Sequence, residues 1–212
     1  LVVISTVFWS MFEQSGGSMT LFADRATDLT LFGMELTAAQ FGSANAIFII
    51  LLSPLFALMW PALLSNNIEP STPAKFGLGI VQVGLGFGAL LIGLKNPDSA
   101  GLVSAWWLVL AYFLHTSAEL CLSPIGLSAV TKLSIARYVG VMMGAWFLAS
   151  AYGSYLASEL AIFFSSIGGE DGRLDNSGFN ALFTELLMYG VGVGIAVLLV
   201  SPLVRRLMKD VR

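Results

Sequence analysis

QFGSANAIFIILLSPLFALMWPALL (Gln40–Leu64) runs for 25 residues without a charged side chain. A membrane-spanning helix needs roughly 20 mostly apolar residues, because a helix satisfies its own backbone groups where no water can. This stretch meets that length. Five others do too, approximately Leu1–Ala23, Phe76–Leu94, Leu102–Leu127, Val139–Ile167 and Ala181–Val204. Polar segments bearing Gly or Pro lie between several of them: SNNIEPSTPAK (65–75), KNPDSAG (95–101) and GGEDGRLDNSG (168–178). These read as turns and loops.

Composition agrees with that count. Apolar residues make up 57% of the 212 and charged residues 11%, with a mean hydropathy of +0.84. Soluble domains carry about 25% charge. A formal net charge of -3 without a basic stripe excludes nucleic acid as a partner. Cys121, the single cysteine, has no partner for an internal disulfide and reads as a small buried hydrophobe. The chain starts directly in apolar sequence, with no charged n-region or cleavage site, so it reads as a fragment and not as a signal peptide. The expected fold is an all-α, polytopic membrane bundle of six transmembrane helices.

Six spans bring both termini to one face. Seven of the ten basic residues fall there, namely Lys75, Lys132, Arg137, Arg205, Arg206, Lys209 and Arg212, against Arg25, Lys95 and Arg173 opposite. The positive-inside rule then makes the termini cytoplasmic. Glu13 and Glu119 stand 106 residues apart, half the chain, as equivalent positions in two inverted triplets of helices would.

Those two glutamates are the deepest charges. A carboxylate at the centre of a span costs about 2.5–3.5 kcal/mol, so each requires a reason. One reading makes them protonated structural residues bonded to a neighbouring helix; the other places them on a water-accessible cavity, where a carboxylate can hold either a proton or a cation. The cavity reading is preferred here. Trp9 lies one turn before Glu13, Gln14 is beside it and Gly16-Gly17 follows; His115, Glu119 and Ser123 form an i, i+4 stripe ending at Pro124. Asn45 serves equally as an interhelical bond or a ligand contact. Trp9 and Trp146 either line a cavity or pack, Trp106 and Trp107 read as interfacial belt residues, and His115 reads as a packing residue. Pro54 and Pro61 are expected to kink the second span. The chain lacks HExxH, CxxC, a phosphate loop and a serine or aspartate catalytic arrangement, so neither an enzyme nor a metal site is expected.

FWSMFEQSGGSMTLFAD (Phe8–Asp24), HTSAELCLSPIGLSAVTKLS (His115–Ser134) and MMGAWFLASAYGSYLA (Met142–Ala157) together resemble the proton-dependent oligopeptide transporter family of the major facilitator superfamily. The likeness extends over all 212 residues and implies helices seven to twelve, the C-terminal half of a major-facilitator-type fold, in the inner or plasma membrane. It implies symport of di- and tripeptides with protons as the coupling ion and no other cofactor. It makes Glu13 the proton-coupling residue and assigns substrate binding to Glu119, Asn45, Ser123, Trp9, Trp146, Gln14 and Phe147. Asp24 would close an outer gate. The partners implied are short peptides, the lipid bilayer and an N-terminal six-helix half. A major facilitator transporter of another small solute, such as nitrate or a drug-like molecule, and a non-transporting scaffold are the alternatives.

Overall fold

Where the sequence predicts one first span, the chain folds as two half-helices. In the computed structural model, which describes residues 1–167 and 176–208, α1 (Val2–Phe12) passes into a 3-10 turn at Glu13–Gly16 and then α2 (Ser18–Ala26). Ser15-Gly16-Gly17-Ser18 is the cause. Glycine costs about 1 kcal/mol relative to alanine in a helix, and the Gly17 backbone (φ -113°, ψ -98°) is not helical. A broken helix frees carbonyls that lipid cannot satisfy, so protein groups must. Tyr112 and Thr20 donate to the Ser15 carbonyl at 3.2 and 3.0 Å. Buried Gln14 donates to the Ala157 carbonyl at 2.9 Å and accepts from Ser18 Oγ at 2.6 Å.

Two short strand pairs follow α2. β1 (Thr27–Asp28) runs parallel to β4 (Val103–Ser104), and β2 (Thr30–Leu31) pairs with β3 (Met34–Glu35) through a turn at Phe32 and Gly33, both at positive φ. Asp28 accepts from the Thr30 amide at 3.0 Å, which holds its carboxyl below the ordinary carboxylate value. The remaining helices are α3 (Ala38–Ser65), α4 (Thr72–Lys95), α5 (Ala105–Leu133), α6 (Val139–Ile167) and α7 (Asn176–Leu207). Each is long and apolar enough to cross a membrane. A capping box of Thr37 and Gln40 starts α3, which continues through Pro54 and Pro61, and α5 continues through Pro124 to Leu133. With α1 and α2 counted as one, the spans number six among the described residues, as expected; α3, α4 and α7 run past the expected bounds at both ends, α5 starts later, at Ala105, and ends later, at Leu133, and α6 matches Val139–Ile167. Arg173, Lys209, Arg212 and most of the last polar segment lie outside the described residues.

The core sits where α4 packs between α5 and α7, with Phe22, Phe87, Phe179 and Phe183 fully buried there. Glycine permits the close α4–α7 approach. A Cβ on Gly190 would meet the Gly84 Cα at 2.6 Å, one on Gly194 would meet Val81, and one on Gly88 would meet Leu187. A shift of 106 residues maps Gly84 onto Gly190, Val81 onto Leu187 and Gly88 onto Gly194, so it exchanges the last two contacts. It also exchanges the α1–α6 packing with the α5–α3 packing. The spacing of Glu13 and Glu119 thus reflects two inverted triplets meeting at Gly84 and Gly190.

Candidate functional site

Asn45, Thr116 and Glu119 form one polar group between α3 and α5. Asn45 Nδ2 donates to Thr116 Oγ1 and to Glu119 Oε2, each at 3.1 Å, while Thr116 donates its own hydroxyl proton to the Tyr112 carbonyl at 2.8 Å. Asn45 and Glu119 are half-buried; Thr116 is fully buried. Sequence reasoning paired Glu119 with His115 and Ser123 and passed over Thr116. His115 instead faces α4, where its Nε2 lies 3.1 Å from the Val83 carbonyl and its ring stands edge-on to Phe87. Four residues advance a helix by about 400°, so an i, i+4 row drifts by about 40° per step and the expected stripe divides between two neighbours. Ser123 stays half-buried on α5, one turn past Glu119.

Glu13 opens the 3-10 turn and borders a cavity of about 420 Å³ between the break and α6, with Ser154 and Ser158 on the far wall. Gln14, which the resemblance assigns to substrate binding, also borders this cavity and uses both ends of its amide to hold the helix break together.

The aromatic candidates divide. Trp9 packs between Phe8 and Phe12 and against Gly153 of α6, with its buried indole N–H lacking a partner among the described residues. Trp146 departs from its expected place on a cavity wall: it is 1% exposed, edge-on to Phe76 and seated on Gly126 of α5. The glycine is what draws it inward, since any side chain there would occupy the space of the indole. Phe147, the next residue, is 60% exposed. Asp24 is exposed near the end of α2. Trp106 is exposed and meets Phe32, whereas Trp107 covers Gly93.

A second charged feature was not foreseen. Lys75, at the start of α4, is 5% exposed, pairs with Glu69 at 2.5 Å and lies 4.2 Å from the centre of the Trp60 ring. It borders a cavity of about 410 Å³ between α3 and α5 that also takes in Phe56 and Lys132. Among the described residues, no group of three His, Cys, Asp or Glu side chains is placed to hold a metal.

Known proteins share this sequence and shape. The POT family profile matches residues 1–174. The chain is 39% identical over 213 residues to the peptide transporter YePEPT of Yersinia enterocolitica, covering 99% of this chain and 40% of that protein. It is 33% identical over 211 residues to dipeptide and tripeptide permease A of Chromobacterium violaceum, covering 99% and 42%. The crystal structure of a peptide transporter POT mutant in complex with alafosfalin superposes with a TM-score of 0.86 at 36% identity, covering 99% of this chain and 41% of that one. The wild-type transporter in complex with sulfate gives 0.85 at 36% identity, covering 99% and 40%. The chain spans about two-fifths of the length of these relatives. By the profile, the relatives and the fold together, it belongs to the POT family.

Proposed function

We propose that this chain forms helices seven to twelve of a transporter that carries di- and tripeptides across the cell membrane with protons, its described ends lying on the cytoplasmic face. Family membership and the relatives' named substrates support the substrate class. The observation that carries the reading to this chain is the half-buried Glu119 carboxylate, which accepts from Asn45 at 3.1 Å between α3 and α5. An ammonium group is the chemical complement of such a carboxylate. Glu119 holds the peptide amine, and Glu13, on the cavity beside the helix break, takes and releases the proton. Trp9, Ser123 and Phe147 lie on the surrounding helices as further ligand contacts, and Asp24 serves an outer gate.

The test uses the full-length transporter that contains this chain. In proteoliposomes, peptide uptake should rise with an inward proton gradient. Gradient-insensitive uptake rejects coupling, uptake of another solute alone rejects the substrate class, and absence of any uptake supports a scaffold. Glu119→Gln should weaken peptide binding about tenfold to a hundredfold, the value of a charge-assisted hydrogen bond. Glu13→Gln should abolish gradient-driven accumulation while retaining counterflow. If both variants lose counterflow completely, the two carboxylates act as one inseparable site.

A further inference from the structure

We infer that Thr116 is a specificity-determining positioning residue, fixing the Asn45 amide so that its carbonyl oxygen, and not its NH2, is offered to the ligand. The inference rests on the peptide-transport reading and goes beyond it, because it assigns a polarity to Asn45 and a cause to that polarity.

The two ends of an amide have similar shape and opposite hydrogen-bonding character, so neighbours decide which way it turns. Glu119 does not decide alone. Ionised, it only accepts and draws the NH2 toward itself; protonated, it can donate and would accept a turned amide. Thr116 removes that freedom. Its single hydroxyl proton is committed to the Tyr112 carbonyl at 2.8 Å, so toward Asn45 it presents only a lone pair, which calls for Nδ2. Thr116 is fully buried, and water does not compete for that lone pair. Both amide hydrogens of Asn45 are then used within the protein, one on Thr116 and one on Glu119. What remains for a ligand is Asn45 Oδ1, an acceptor close to the Glu119 carboxylate. Two acceptors together suit an ammonium or an N–H group and disfavour a carbonyl at the same place.

The experiment measures binding to the full-length transporter by titration calorimetry with three probes: Ala-Ala, alaninamide, and pyruvoyl-alanine, in which a ketone carbonyl stands where Ala-Ala carries its ammonium. Thr116→Val removes the lone pair at nearly constant volume and should weaken binding of both ammonium-bearing probes about threefold to tenfold, the range of one hydrogen bond. Pyruvoyl-alanine should bind no worse or better. Thr116→Ser, which keeps the hydroxyl, should restore the wild-type preference. Thr116→Cys, with only a weak acceptor, serves if the valine variant does not fold and should give an intermediate preference. Equal weakening of all three probes indicates a merely structural role and overturns the inference, as does an unchanged preference in the valine or cysteine variant. Wild-type binding of the ammonium-bearing probes without peptide uptake overturns the proposed function alone. Failure of the wild type to bind any probe overturns both.

Discussion

Lys75 is only 5% exposed, and Glu69 and the Trp60 face stand in place of the water it has lost. Lys75→Ala should therefore destabilise the full-length transporter by about 3 kcal/mol, the lower end for removing one partner of a buried pair, since Glu69 keeps some solvent contact. Adding Glu69→Ala should recover part of the loss, which thermal unfolding in detergent would reveal. Equal losses in the single and double variants would mean that Lys75 acts through its packed stem alone. At this scale the sequence disclosed which residues were costly and not which neighbours relieved the cost. Glu119 was legible because a carboxylate in an apolar helix has no bland surroundings. Thr116 was not, since a threonine in a span ordinarily bonds its own helix, as this one also does. Only the arrival of Asn45 from α3 makes its remaining lone pair matter.

Helix α5 shows how a single glycine governs packing between elements. Gly126 leaves room for the benzo ring of Trp146, which adding one methyl group would fill. Gly126→Ala should cost about 1–3 kcal/mol through overpacking. Trp146→Phe, which lacks that outer ring, should relieve part of this cost, so the double variant should be more stable than the sum of the two singles predicts. Simple additivity in thermal unfolding would show that the helices shift apart instead. Elements α3 to α7 were readable from run length alone, because lipid forces a helix wherever apolar sequence is long enough. The interruption after α1 was not readable in the same way. Gly16-Gly17 marked flexibility, but a break needs outside donors, and Gln14, Thr20 and Tyr112 reveal that use only once the helices are assembled.

For the whole molecule the orientation rests on the distribution of Lys and Arg. Single cysteines at exposed Asp98 and Arg137 test it, with Cys121 buried and silent. Asp98→Cys should label from outside the cell and Arg137→Cys only after the membrane is made permeable; the reverse pattern would invert the topology. The inverted repeat became firm only when residues 106 apart were seen to exchange contacts across the α4–α7 seam. That seam also sets a timetable for biogenesis. A ribosome adds about 5–20 residues each second, so roughly 5–20 s separate the appearance of Gly84 from that of Gly190. During that interval α4 has reached the bilayer without the helix that closes over its glycines, and lipid tails or an insertase must cover them until the last span arrives.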